Sequence, residues 1–462
     1  PADSVSYDIN GTVLEWYAEA GKTVIPSTGE QKLLVIPVEF SDWKITDYLD
    51  ISVKEYVRDL QNAFFGVSTN NNYVSVSEFY NISSYGKLRL TGKVCDQVYT
   101  FKDYRVQDIL DAGKNNFQRD TIYNQYQDII DWYISTYIDN DNLTKEEKEK
   151  NRAELDSYKV NKEKDYLFNI PIYLVYDYPS DTTGGESSFF WNYTFTGKFV
   201  SWSSYHSLNV TKGKPDSHIL IHEVGHLFGL PDYYPNEIVG ENDAIVEPVG
   251  CIDMMDSCVG DHTGLSKMML DWVRPYQISN SCELTIKSFA ENGDLILLND
   301  SWNGTVFDEF FLLEFYTPTK LNTFDVVYGN DTIKLPFLPG IKLYHVDSTL
   351  GYFDKRNGDL KGSINEPGLD SGSRIDFLRS NNSNKIIISS DGVSKTYNNY
   401  LYELIFKNHR NAIASIATDE HLYHLDDTLL DFRFNGSGTA NYKVTITNMN
   451  FREATLKFEK LF

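Results

Sequence analysis

Asp216-Ser217-His218-Ile219-Leu220-Ile221-His222-Glu223-Val224-Gly225-His226-Leu227-Phe228-Gly229-Leu230-Pro231-Asp232 is the stretch from which the rest of the chain is best read. Residues four apart on an α-helix lie on one face about a turn from each other, so a helix here lets His222 and His226 grip a single ion. Ile219, Leu220, Val224, Leu227 and Phe228 recur at helical spacing and give such a helix, over about 216–228, a core-facing side. Glu223 projects beside the histidine pair. Its carboxylate lies too far round the helix to be a natural third ligand, but it can take a proton from a metal-activated water, the general-base role. Gly229 is placed to end the helix, because glycine enters the left-handed region without a Cβ penalty, and Pro231 reinforces the stop by lacking an amide hydrogen. The chain that doubles back carries Asp232, the expected third ligand. Three protein ligands with one open position make a catalytic zinc site, whereas a structural site is closed by four.

The complete pattern is His-Glu-x-x-His-x-x-Gly-x-x-Asp. With nine histidines in 462 residues, a His-Glu-x-x-His match arises by chance in roughly one such chain in a hundred, and Gly and Asp at fixed offsets lower that by about another hundredfold. The pattern therefore outweighs a solvated helix with two incidental histidines. His218, one turn before His222 on the same face, is expected to be a supporting or exposed histidine rather than a ligand.

Composition narrows the surroundings of this motif. The chain has 462 residues, 41% of them hydrophobic, which is enough for packed cores and longer than one core usually grows. The expected organisation is an N-terminal segment over 1–30, a zinc metallopeptidase domain over 31–275 and a β-rich module over 276–462. A net charge of −24 argues against a nucleic-acid or anionic-membrane partner, which would repel such a surface. The same acidity suits a secreted protein and leaves carboxylates for structural calcium or for solubility alone. The chain opens Pro1-Ala2-Asp3 with no apolar leader, and no run approaches a membrane span, so a secreted, monomeric protein with its leader absent from this chain is expected. Cys95, Cys251, Cys258 and Cys282 are too few for a disulfide scaffold. Cys251 and Cys258 lie close enough in sequence to pair, or to remain buried thiols.

Reading outward from the motif, Lys32-Leu33-Leu34-Val35-Ile36-Pro37-Val38-Glu39-Phe40 is a nearly continuous apolar run, expected to be a buried strand, and about 53–65 carries helical periodicity. Ser77–Tyr80 leads into a short helix and then into Ser84–Gly92, whose alternation suggests a strand. Helical periodicity returns at about 106–110, 121–137 and 144–158, and Ile170–Tyr176 is a second buried strand. The charge run Lys145-Glu146-Glu147-Lys148-Glu149-Lys150 reads as a solvated helix, and Asp139-Asn140-Asp141-Asn142 as a plain turn that lacks the glycine and the final Glu of a calcium loop. Gly184-Gly185-Glu186 marks a loop before the aromatic cluster Phe189-Phe190-Trp191. Beyond about 275 the pattern changes to short β-prone runs.

Downstream of Asp232 stands Gly250-Cys251-Ile252-Asp253-Met254-Met255-Asp256-Ser257. Together with the histidine motif it resembles the immune inhibitor A type of metallopeptidase, peptidase family M6 of the metzincin clan. The likeness extends to Tyr80–Gly92 and to Leu338–Asp347, covering most of the chain from about residue 30. It implies that Met255, with Met254 as second choice, packs beneath the metal without ligating it. Some metzincins steady the oxyanion with a tyrosine two residues after that methionine, where this chain has Ser257. His262, Tyr233, Tyr234 and Tyr205 are the candidates left for that role. His345 and Asp347 are read as parts of a structural strand.

The expected fold is α+β, a zincin or metzincin catalytic domain with a twisted mixed sheet and an active-site helix, followed by the β-rich module. The expected function is zinc-dependent hydrolysis of peptide bonds in proteins, with Glu223 as general base. Two other classes share the histidine pair: an inactive zincin scaffold used as an adhesin or binding protein, and a zinc hydrolase of non-peptide substrates. An intact Glu223 weighs against the first, since a decayed site has no reason to keep a base that ligates nothing.

Overall fold

The computed structural model describes residues 5–6, 25–102, 105–106, 126–160, 170–176, 191–193, 200–230, 233, 249–256, 260–304, 308–328, 336–347, 351–354, 359–362, 386–390, 393–397, 402–407, 417–430, 432–434 and 438–461. Asp232, Tyr234, Ser257 and Cys258 lie outside the described residues, as do the loop at 184–186, Phe189, Phe190 and the expected helical stretches at 107–110 and 121–125. The chain divides into two compact units, one of Lys22–Asn81 with Gly86–Gly229, the other of Pro1–Gly21, Ile82–Tyr85 and Leu230–Phe462. Both mix strands and helices, an α+β composition arranged in several sheets.

The first unit is built on a largely parallel sheet. Its spine is the strand Gly29–Phe40, in which Leu33, Leu34, Val35, Ile36 and Val38 are all buried. A run with no polar alternation is what a strand covered on both faces requires, which is why the apolar stretch forms the sheet's interior. It pairs in parallel with Leu88–Val94, Tyr99–Phe101 and Ile172–Tyr176. Val200–Ser204 adds in parallel to Ile172–Tyr176, and Trp191–Tyr193 closes that edge antiparallel. The order is therefore Leu88–Val94, Gly29–Phe40, Ile172–Tyr176, Val200–Ser204, Trp191–Tyr193. Gly92 permits the first pairing: it sits at φ +154°, and a Cβ there would fall 1.9 Å from the Leu33 carbonyl oxygen.

Helix Val53–Phe65 begins at a capping box, the Ser52 hydroxyl accepting from the Glu55 amide while the Glu55 carboxylate accepts from the Ser52 amide. The same reciprocal device between Thr144 and Glu147 starts the charged helix Lys145–Asp156, which buries only Leu155 among its own side chains. Leu34, Ile36, Val38, Phe40, Ile172, Leu174 and Tyr176, alternate residues and so one face of the sheet, pack with Tyr126, Ile129, Ile130 and Tyr133 into a single core. At Asp139–Asn142 the Asn140 side chain accepts from the Asn142 amide, a local turn.

The second unit is dominated by strands. One six-stranded sheet runs in the order Val5–Ser6, Tyr276–Gln277, Leu295–Leu298, Glu309–Tyr316, Gly340–Asp347, Tyr402–Leu404, and a four-stranded sheet in the order Thr428–Leu429, Tyr442–Met449, Glu453–Lys460, Cys282–Lys287. Ile296, Leu298, Phe311, Leu313, Ile341 and Leu343 from the first meet Ile286, Val444, Ile446, Leu456 and Phe458 from the second in one core, a sheet-on-sheet packing. The composition change near residue 275 falls inside this unit. Cys95, Cys251 and Cys282 are free thiols, and burial pushes the Cys95 thiol up to about 12. No helix among the described residues is long and apolar enough to cross a membrane.

Candidate metal centre

The histidine motif forms a helix over His218–Leu227, in which Leu220, Val224 and Leu227 are buried as expected, while Ile219 is only half-buried and Ile221 is buried instead. Its N-terminus is not capped by Ser217, whose hydroxyl donates instead to the Val74 carbonyl. Asp216 takes part of that role by accepting from the His218 amide at 3.1 Å, and its carboxylate also lies 2.7 Å from His218 Nδ1. His218 is thus engaged by a neighbouring carboxylate one turn away from the motif. At the other end the Gly229 amide donates to the His226 carbonyl at 2.8 Å, and Gly229 sits at φ +93°, the left-handed setting that makes glycine the suitable residue to leave the helix.

One turn of helix brings the two motif imidazoles together. Their ring centroids are 5.0 Å apart and the ring planes 88° from each other. One donor atom from each of His222, Glu223 and His226 lies within 4.8 Å of the others, a convergence that, among the described residues, is found for this group of His, Cys, Asp and Glu side chains. Glu223 is only 3% exposed, while both histidines are half-buried. Glu223 is thus the most buried of the three, and the two imidazoles are the more accessible. The donor set, two imidazole nitrogens with carboxylate oxygen at hand, fits a borderline divalent ion such as zinc better than calcium or magnesium, which favour all-oxygen shells.

The surroundings of Glu223 were not visible in the sequence. Tyr173, in the strand Ile172–Tyr176, has its phenol pushed well above the ordinary range, first by burial and next by the charge of Glu223, and it donates to the Ser203 hydroxyl at 3.1 Å. The Ser201 hydroxyl donates to the Glu223 carbonyl at 3.1 Å, and the Tyr80 hydroxyl to the Ile221 carbonyl at 2.7 Å. Tyr80 belongs to the Tyr80–Gly92 stretch that carries the family likeness, but nothing in the spacing of Tyr80, Tyr173 or Ser201 connects them to a helix tens of positions or more later.

The remaining candidates fall in different places. Tyr205 belongs to the same unit as the motif, on a short helical turn at Tyr205–Leu208. Its hydroxyl donates to Asp59 at 2.8 Å and its ring stacks on Tyr56 at 4.4 Å. Met255, Tyr233 and His262 belong to the second unit. Met255 is fully buried with Met254; its amide donates to Asp253 at 2.8 Å and its carbonyl accepts from the Tyr233 amide at 2.8 Å. The Tyr233 hydroxyl lies 2.7 Å from Ser266 Oγ, and the buried His262 ring lies 3.4 Å from Asp253 and beside Trp272. Asp253 is the hub of this turn. Burial works to raise its carboxyl, but His262 and the donors on Thr263 and Met255 outweigh that and hold it below the usual carboxylate range. Asp232 and Tyr234 lie outside the described residues, so the third ligand rests on the sequence.

Comparison of the chain with models of known protein families, and with curated proteins, finds no match.

Proposed function

We propose that this chain is a secreted zinc-dependent endopeptidase, resembling the immune inhibitor A-like M6 branch of the metzincins, that hydrolyses peptide bonds of protein substrates. The observation that carries the reading is the convergence of His222, Glu223 and His226 on one short helix. His222 and His226 would hold the ion from one helix face, with Asp232 the third ligand that the sequence pattern supplies. A zinc ion bound there supplies Lewis acidity, which lowers the pKa of water and polarises a carbonyl. Glu223 accepts a proton from the attacking water and delivers it to the leaving amine nitrogen. Its burial keeps competing water away from the carboxylate and strengthens its interaction with that proton. The family resemblance gives Met255 a packing role without ligation.

The test combines metal analysis with casein or gelatin cleavage, with and without a chelator, on the wild type and on Glu223→Gln. Zinc content near one per chain, chelator-sensitive cleavage, and a Glu223→Gln variant that keeps its zinc but no longer cleaves are the expected results. Undiminished cleavage by Glu223→Gln would overturn the assignment of the base. Bound metal without cleavage of either protein would move the chain to a binding protein or to a hydrolase of other substrates.

A further inference from the structure

The backbone of the His218–Leu227 helix is held by side chains that play no part in the chemistry. The carbonyls of Ile221 and Glu223 flank His222, and each accepts a hydroxyl from a different element: Tyr80 of the helix Val76–Ser83 at 2.7 Å, and Ser201 of the strand Val200–Ser204 at 3.1 Å. Both donors are fully buried. A helical carbonyl has two lone pairs, of which the amide four residues on uses one, so these hydroxyls occupy second positions without disrupting the helix. Two residues correspond to about 200° of helical rotation, which places the two attachments on nearly opposite sides of the axis. The Tyr80 ring also packs on Phe228 at 5.1 Å, and the helix ends are tied as well, Ser217 to the Val74 carbonyl and the Leu227 carbonyl to the Ile25 amide.

We infer that Tyr80 and Ser201 are positioning residues that set the rotation of this helix about its own axis and so aim the imidazoles of His222 and His226 at a shared ion; the inference rests on the zinc reading above. The physical need is plain. A rotation of about 15° moves a Cα by roughly 0.6 Å, and an imidazole at the end of its side chain by more, which is enough to spoil a coordination bond held to a few tenths of an ångström. Close-packed apolar contacts oppose such a rotation but supply no directional reference for it. Directional hydrogen bonds on opposite sides resist it strongly.

The experiment compares the full chain as wild type, Tyr80→Phe, Ser201→Ala, the double variant and His222→Ala. Zinc affinity is measured by chelator competition, the visible spectrum with cobalt in place of zinc reports ligand geometry, and thermal melting of the metal-free chain reports stability. The double variant is expected to bind zinc about tenfold more weakly, at the lower end of what lost supporting contacts cost a metal site, with a shifted cobalt spectrum. His222→Ala is expected to lose the site. If the double variant fails to fold, Tyr80→Phe alone decides, with about a threefold loss expected, because it keeps the ring against Phe228. Wild-type affinity and spectrum in folded variants, whatever happens to the melting temperature, would overturn the inference and leave the zinc reading intact. A wild type that binds no metal, or a His222→Ala variant that binds as well as wild type, would overturn the zinc reading and this inference with it.

Discussion

On the His218–Leu227 helix two half-buried histidines and a buried glutamate turn toward one another, while in the β-rich unit His345 is buried between two carboxylates on neighbouring strands, Glu309 at 2.9 Å from Nε2 and Glu403 at 3.1 Å from Nδ1. Phe311 stacks on the His345 ring at 4.8 Å. Equally buried in this unit, Lys342 pairs with Glu314 at 2.9 Å, and Lys267 with Asp261 at 2.6 Å. The contrast teaches that a histidine's role is read from what surrounds its nitrogens. His345, with both nitrogens committed to carboxylates of its own sheet, is a charged fastener across three strands. His222, Glu223 and His226, with one ligand atom of each within 4.8 Å of the others, form a group that could hold a metal ion. Buried ionisable groups are therefore present in both units, and among the described residues the group that could hold a metal ion lies in the first.

Four experiments would break or sharpen this contrast. The largest effect is expected from Glu223→Gln, which should lower peptide cleavage by roughly 10²- to 10⁴-fold, the usual contribution of a general base. Its zinc content should be unchanged by metal analysis; cleavage within threefold of wild type would put Glu223 among the structural carboxylates. Next comes Lys342→Met, which strands Glu314 in the core and should cost about 3–5 kcal/mol of stability by denaturant unfolding, with no change in zinc content. Burial already pushes the Glu314 carboxyl up against the opposing pull of Lys342, so without the lysine it should take up a proton and the loss should grow as the pH rises.

The third prediction concerns pH. Burial alone would lower the His345 pKa, but the hydrogen bonds and charges of Glu309 and Glu403 outweigh it and raise the ring to about 9. An unfolded histidine titrates near 6.5, so the folded state holds the proton more tightly: the stabilisation is complete below about pH 6.5 and is lost as the pH rises through about 9. His345→Gln should flatten stability against pH over that interval while leaving zinc affinity alone; an unchanged pH profile would remove the fastener from the comparison. The smallest effect, about 1 kcal/mol, is expected for Ser52→Ala, which removes one half of a helix cap at an exposed end. A larger loss by thermal melting would mean that the Val53–Phe65 helix depends on its cap rather than on Tyr56, Leu60 and Phe64 in the core.

The degree to which these features could be read beforehand follows the range of the interactions. The Gly29–Phe40 strand announced itself because a strand covered on both faces must be apolar throughout, and the motif helix because its apolar residues recur with the helical period. Helix Val53–Phe65 matches its expected span for the same reason, while the Ser52–Glu55 capping box emerges only in the structure. Gly229 turning out of the helix was likewise local. Tyr205 was named as a candidate for steadying an oxyanion, and the structure directs its hydroxyl to Asp59, 146 positions away. Asp253 was read only as part of a methionine-bearing stretch, yet it accepts from Met255, Thr263 and Ser266. His345 was assigned to a strand, which it is, but its two carboxylate partners come from strands on either side.

By itself the sequence determined that His222 and His226 share a helix face with Glu223 beside them, because helical spacing is a local property and needs no knowledge of the rest of the chain. It also determined where the long buried strands run and that Gly229 ends the helix. Only the tertiary structure decided which strands lie side by side, that Tyr80 and Ser201 donate to the carbonyls flanking His222, and that Glu309 and Glu403 enclose His345. Those contacts join residues tens to more than a hundred positions apart, and a single chain carries no periodicity that records which distant side chains folding will bring within a hydrogen bond of each other.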